Sequence, residues 1–362
     1  MILVHICCSV DSHFFLQKLK KAYPSEELVG FFYDPNIHPY SEYYLRLLDV
    51  KRSCKKLGVK LFEGEYDFDK WLEFVRGYEN EPEKGARCDL CFDKRLEVSA
   101  KKAKELGAKF LTTTLLTSPK KSMEQLQSAG ENIAKKYGLK FLTVDFRSGG
   151  GTQEQFALAK RDKLYHQDYC GCIYALSKQR EYQERLMDEM FEPVSGQIQP
   201  ESIGERIKLY EDVCKLEDSK KKYEIVRENF LNYRLLRAYL KQNKEVIPSY
   251  ILAYSTTKRK FVKFRIEKKI QDIYFANREN IKLITLEKFN QMINKNYKNI
   301  KELLYSPPAF EEEIKVRNQI DLNYYSLSAV IVIKDIDQTA KYELYLECRT
   351  YQDVKEYLVT FG

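Results

Sequence analysis

Nowhere in the 362 residues does an apolar run approach the roughly 20 positions that a membrane-spanning helix needs, so no membrane partner is expected. The first residues, Met1-Ile2-Leu3-Val4-His5-Ile6, lack the basic lead, long apolar region and small-residue cleavage site of a secretory signal. A cytoplasmic protein is the expectation. Internal repeats and low-complexity tracts are also missing, which sets aside solenoid architectures. Cysteine, by contrast, is plentiful at nine residues. A cytoplasmic chain keeps its thiols reduced, so these cysteines argue against a disulfide framework and for metal binding or redox chemistry. The formal charge of +8 permits a polyanionic partner without requiring one.

Through the first 190 residues, short apolar runs alternate with helical patterns. Ile2–Ile6, Leu28–Phe32, Val59–Phe62, Phe110–Thr114 and Phe141–Val144 read as strands, and Tyr43–Leu57, Phe92–Leu106 and Ser122–Tyr137 read as amphipathic helices. This alternation predicts an α/β domain over 1–190 with a parallel sheet covered on both faces, and ligands beyond the carboxyl ends of its strands. Prolines and a glycine in Phe191-Glu-Pro-Val-Ser-Gly-Gln-Ile-Gln-Pro200 end the helical pattern of Ala175–Met190 and place a domain boundary there. Residues 191–362 then read as a smaller α+β domain. Glu201–Lys241 reads as mostly helical, and strands are expected at Tyr250–Tyr254, Lys260–Ile266, Ala329–Ile333 and Tyr342–Glu347.

Six cysteines form three pairs in expected loops: Cys7-Cys8 after the first strand, Cys88-Asp-Leu-Cys91 at a helix start, and Cys170-Gly-Cys172 in a turn. A Cys-x-x-Cys entering a helix lets two thiolates converge where the helix dipole favours negative charge. One closed zinc site takes four ligands and leaves two thiols over. In an extended segment Cys7 and Cys8 would point to opposite sides and serve two adjacent centres. Asp11, three residues on, would leave a second metal with an open position. Zinc, an iron-sulfur cluster and plain buried thiols all remain open on spacing alone. Cys54, Cys214 and Cys348 are isolated and read as core or incidental thiols.

With these motifs the sequence resembles the QueH family of epoxyqueuosine reductases over residues 1 to 185. The resemblance rests on Leu3-Val-His-Ile-Cys-Cys8, Tyr33-Asp-Pro-Asn-Ile-His-Pro39 with Glu42-Tyr43, and Glu83-Lys-Gly-Ala-Arg-Cys88-Asp-Leu-Cys91-Phe. Thr112-Thr-Thr-Leu-Leu-Thr-Ser-Pro119 and Leu164-Tyr-His-Gln-Asp-Tyr-Cys170-Gly-Cys172 complete it, in family order. It implies a nucleotide-hydrolase-like (HUP-type) α/β/α domain in which Cys7, Cys8, Cys88, Cys91, Cys170, Cys172 and Asp11 hold a four-iron four-sulfur cluster and an additional mononuclear iron bound by cysteine and aspartate, the division of the cysteines between the two being open. It further implies cobalamin-independent reduction of epoxyqueuosine in transfer RNA to queuosine, the last step of queuosine biosynthesis, fed by an unidentified electron donor. Many members continue the first motif as Cys-Cys-x-Pro-Cys, whereas this chain reads Cys7-Cys8-Ser9-Val10-Asp11, so aspartate stands in the third cysteine's place. Asp11, His38 and Tyr169 are the catalytic candidates, with Tyr40 and His166 as further proton sources. His5, in the first strand, reads as a core residue.

Two other readings compete. Cys7-Cys-Ser-Val-Asp-Ser12 resembles in outline the Ser-Gly-Gly-x-Asp-Ser loop of PP-loop enzymes that modify transfer RNA, but cysteine and serine occupy the glycine positions that phosphates need. A zinc-stabilised RNA-binding module would make all six loop thiols structural. Residues 241–300 hold 14 Lys or Arg against 5 Asp or Glu, interleaved with aromatics. Such a stretch is either an RNA surface or the solvated face of alternating strands. Candidate RNA contacts are Arg87, Lys120 and Arg147 beside the motifs, and Lys258, Arg259 and Lys260 in this stretch.

Overall fold

The apolar runs at the start of the chain pair into one sheet in the computed structural model, which describes residues 1–118, 121–167, 169–321 and 326–361. β1 (Ile2–Ile6), β2 (Leu28–Phe32), β3 (Lys60–Glu63), β4 (Phe110–Thr113) and β5 (Lys140–Phe141) lie in the order β3-β2-β1-β4-β5, all parallel. Helices α1 (Ser9–Ala22), α2 (Tyr40–Leu57), α3 (Phe68–Phe74), α4 (Ala86–Glu105), α5 (Met123–Lys136), α6 (Gly151–Arg161) and α7 (Ile173–Tyr182) accompany it.

Every residue of β1 is buried, because alternate side chains enter different cores. Ile2, Val4 and Ile6 pack with Phe15, Leu16 and Leu19 of α1, whereas Leu3 packs with Ala100 and Ala103 of α4. The strand order reverses between β1, which continues to β2, and β4 on its other side. A crevice opens at such a reversal, beyond the carboxyl ends of the strands, and the segments after β1 and β4 must line it.

The described chain divides into two compact units. The first comprises Met1–Met190, Arg206–Ile225 and the residues from Leu358 on, and the second comprises Phe191–Glu205 and Val226–Tyr357. Later elements are α8 (Ile203–Asp218), β6 (Lys222–Gln242), β7 (Glu245–Ile247), β8 (Tyr250–Ile251), β9 (Phe261–Phe264), β10 (Ile266–Ile270), β11 (Ile273–Ala276) and β12 (Lys282–Thr285). α9 (Leu286–Ile293), α10 (Ile300–Tyr305), α11 (Phe310–Ile320), β13 (Val330–Ile333) and β14 (Tyr342–Phe361) follow. They build a sheet of order β10-β11-β12-β13-β8 and another of order β7-β6-β14-β9, so the α+β expectation holds.

The helical reading of Glu201–Lys241 holds only for α8. From Lys222 the chain is a strand of 21 residues. Its Tyr, Leu and Arg residues satisfy either period over a short window, and pairing with the distant β14 decides. No helix among the described residues is long and apolar enough to cross a membrane.

Candidate metal centre

Each cysteine pair stands at a helix N-terminus. Cys8 is the N-cap residue of α1 and Asp11 lies in that helix's first turn, Cys88 lies in the first turn of α4, and Cys172 is the N-cap residue of α7. Unsatisfied amides and the positive end of the helix dipole favour anionic sulfur at these places.

The ligand atoms of Cys7, Cys8 and Asp11 lie within 4.8 Å of one another, the closest such group of three among the described residues. Cys7 Sγ is 3.9 Å from Cys8 Sγ and 3.8 Å from Asp11 Oδ2. The expectation that Cys7 and Cys8 point to opposite sides is therefore corrected. A bend at Cys7 takes the chain out of β1, and the strand geometry behind that expectation ends there. Thr114, just after β4, places its Oγ1 3.7 Å from Cys7 Sγ, so the group sits at the switch point of the sheet.

Cys88 shares a core cluster with Cys7 and Cys8, and Cys91 and Cys172 pack around Trp71 with Cys170 beside them. Burial pushes the Cys91 thiol up to about 11, and Cys170 and Cys88 add to the rise. Burial likewise pushes Cys172 up to about 12, with Cys170 and Cys91 adding to it. Cys91, Cys170 and Cys172 therefore share one packed neighbourhood around Trp71, and Cys88 belongs to the neighbouring core with Cys7 and Cys8. Burial opposes the Cys170 thiolate, yet Lys121, the backbone of Cys172 and Arg46 bring that thiol below its ordinary value.

Two buried cations stand among the thiols. Arg95 is ion-paired with Asp34, and although burial opposes its charge, Asp34, Cys91, Cys7 and Cys170 sustain it. Burial also opposes the charge of Lys121, but Cys170, Glu83, Cys88 and Cys91 hold it on, with Glu83 Oε1 at 3.4 Å. A buried cation needs an anionic neighbour, and each of these two has one carboxylate. Soft sulfur donors, one hard oxygen and compensating cations suit an anionic metal-thiolate group.

A cavity of about 360 Å³ joins the parts: Cys7 and Asp11 line it together with Cys170, Arg46, Arg95, Lys121, His166 and Tyr169. Asp11 Oδ1 accepts a hydrogen bond from Gln155 Nε2 at 2.6 Å, and burial pushes its carboxyl up to about 6. Arg46 donates to the carbonyls of Tyr169 at 2.9 Å and Cys170 at 3.3 Å, while its Nε holds Glu42 at 2.7 Å. Tyr165 donates its hydroxyl to the other oxygen of Glu42 at 2.9 Å. The turn itself needs Gly171, whose φ is +97 and where a Cβ would come within 2.7 Å of Ile37.

Not every expected residue reaches the cavity. His38 is absent from its lining, and its ring stacks on Phe68 with centroids 4.2 Å apart. Tyr169 lines the cavity, but its hydroxyl donates to the carbonyl of His38 at 3.0 Å. His5 is fully buried against Thr113 Oγ1 at 2.8 Å, a core role as expected.

Among the RNA candidates, Arg87 is corrected. It is 2% exposed, and its guanidinium donates to the carbonyls of Tyr78, Glu79 and Glu81. Arg147 spends its donors on the carbonyls of Leu115, Leu116 and Lys121. Lys120 lies outside the described residues. Lys258 and Arg259 are exposed, and Lys260 pairs with Glu347 at 2.5 Å.

Sequence reasoning missed Arg46, Arg95, Lys121 and Gln155. Only Arg46 carried a signal, its i,i+4 spacing from the motif residue Glu42.

Fold and site together define an α/β protein with a thiol-rich centre at the switch point of a parallel sheet. The model of the family "Epoxyqueuosine reductase QueH" matches residues 2–178. Epoxyqueuosine reductase QueH of Helicobacter pylori is 41% identical over 347 residues, 92% of this chain and 94% of that protein. Those of Acinetobacter baylyi and Thermotoga maritima are 38% and 36% identical, over 48% and 50% of this chain and 80% and 92% of theirs. The chain belongs to the epoxyqueuosine reductase QueH family. The resemblance was expected to stop near residue 185, but the Helicobacter pylori protein carries it through the second unit as well.

Proposed function

We propose that this chain is an epoxyqueuosine reductase that acts on transfer RNA without cobalamin, with an iron-sulfur cluster on Cys88, Cys91, Cys170 and Cys172 and a single metal ion on Cys7, Cys8 and Asp11. The observation that carries this reading is the cavity wall, where Cys7 and Asp11 of one group and Cys170 of the other border the same space. Conversion of the epoxide to the alkene takes two electrons and two protons and releases the oxygen as water, so an external reductant must supply the protein. When bound, the cluster supplies the electrons and the second metal a Lewis acid, iron being the choice that matches the cluster.

The chain's own groups divide the remaining work. Arg95 and Lys121 hold negative charge in the buried centre. Lys121, on the cavity wall, would offer an ammonium to the charge that develops on the departing oxygen. Burial raises the Tyr169 hydroxyl far above its ordinary value and that hydroxyl is committed to the His38 carbonyl, so Tyr169 shapes the cavity. His166, which borders the same space, is assigned the proton.

The test is single-turnover reduction of transfer RNA carrying epoxyqueuosine by the anaerobically purified, pre-reduced protein. Queuosine should form, and Cys88→Ala and Cys91→Ala should each abolish it. An undiminished rate in both variants would refute the cluster assignment.

A further inference from the structure

The second unit contains a cleft of about 610 Å³ whose rim carries Lys244, Lys263, Arg265, Arg278 and Lys341 against one carboxylate, Glu343. These cations come from separate places in the chain: the β6–β7 turn, β9, the β9–β10 and β11–β12 connections, and the residue before β14. Glu343 already pairs with Lys263 at 3.1 Å, and among the described residues the other four have no ion-pair partner.

Two asparagines fix this rim. Asn243 donates its backbone N–H to the Lys341 carbonyl at 2.9 Å and accepts the Lys341 N–H on Oδ1 at 3.1 Å. Asn277 repeats the clasp on Arg265, at 3.0 Å and 3.1 Å. Lys244 follows in the turn with φ 76, the left-handed region that an L side chain rarely enters.

We propose that this cleft grips the phosphodiester backbone of RNA, as a second point of hold on the transfer RNA substrate. The proposal rests on the functional reading above for the identity of the RNA. Like charges crowded on one rim repel and attract a dense counter-anion, and nucleic acid supplies one at regular spacing. The aromatic floor decides between partners. Phe264 and Tyr342 are buried and stacked on each other at 5.4 Å, so they offer no free face to a base and no apolar anchor to a protein. What remains is contact with phosphates, independent of base sequence. The run Lys258-Arg-Lys260, the densest basic stretch of the sequence, lies outside this lining.

The test uses the full-length protein and an unmodified transfer RNA transcript, with affinity measured by fluorescence anisotropy across a salt series. One variant combines Lys244→Ala, Arg265→Ala, Arg278→Ala and Lys341→Ala. A control combines Lys258→Ala, Arg259→Ala and Lys260→Ala, and melting temperatures check both folds.

The cleft variant should lose at least tenfold in affinity. Each phosphate contact contributes about 0.7–0.9 to the log–log salt slope, so removing four cations should also flatten that slope by about three. The control should bind like the wild type. Equal losses in both variants would overturn the proposal, as would wild-type binding by the cleft variant. So would unchanged RNA binding together with lost binding of polyglutamate, which would assign the cleft to an acidic protein. Because the transcript carries no epoxyqueuosine, these outcomes are independent of whether the chain reduces it.

Discussion

Gln155 of α6 donates its side-chain amide to Asp11 Oδ1 of α1 across 2.6 Å, which leaves Asp11 Oδ2 facing Cys7 Sγ at 3.8 Å. A partner that orients a ligand in this way is typically worth about 10- to 100-fold in metal affinity. Gln155→Leu should therefore lose metal from the Cys7, Cys8 and Asp11 group by about that factor in a metal titration. Its acid-labile sulfide should stay at the wild-type level. Parallel loss of sulfide would mean that Gln155 supports the fold of the whole centre.

Arg46 holds the Cys170 turn through two carbonyls while pairing with the buried Glu42. Lysine retains the charge but not the planar fork that reaches three partners at once. Arg46→Lys should fold with reduced iron content. Arg46→Ala leaves the buried Glu42 charge with no cation and only the Tyr165 hydroxyl as a partner, and should cost about 3–5 kcal/mol in urea unfolding.

The turn at Gly171 combines a left-handed backbone with a close approach to Ile37. Alanine meets both penalties, and backbone strain alone costs about 1–3 kcal/mol. Gly171→Ala is expected to retain its far-ultraviolet circular dichroism while losing most of its iron and sulfide. Full cluster content would show that the Cys170 and Cys172 placements tolerate a shifted turn.

In the second unit, burial raises the Glu313 carboxyl above its ordinary value of 4.5, although Tyr250, Gln197 and the Ala253 N–H all donate to it. The folded value lies above the unfolded one, so its stability contribution is complete at low pH and is lost as pH rises through the folded value. Relative to Glu313→Gln, the wild type should lose stability on going from about pH 5 to pH 8, by at most about 1.4 kcal/mol per unit. Urea midpoints at the two pH values measure it, and a difference that grows with pH would contradict the burial argument.

Much of the first unit was legible in the sequence because its strands are continuous apolar runs and its cysteine pairs sit at helix N-termini. Ile2–Ile6 and Leu28–Phe32 are strands over the expected residues. Phe141–Val144 shrank to a two-residue strand, Lys140–Phe141, because β5 is an edge whose pairing stops early. The long β6 was misread because its partner, β14, lies about a hundred residues away and local periodicity contains no trace of it. The site divides in the same way. Cysteine spacing announced the donors, whereas Arg95, Lys121 and Gln155 reach the centre only through the packing of α4, the segment before α5, and α6. Arg87 stood beside a motif and looked like a surface contact, yet three carbonyls claim it inside the fold.

The most direct test of the central claim is the metal and sulfide content of the anaerobically purified protein, measured alongside Cys91→Ala. The account predicts brown protein with iron and acid-labile sulfide in the proportions of a four-iron four-sulfur cluster, further iron lost selectively in Asp11→Ala, and neither colour nor sulfide in Cys91→Ala. Colourless protein holding stoichiometric zinc, with no sulfide, would contradict it.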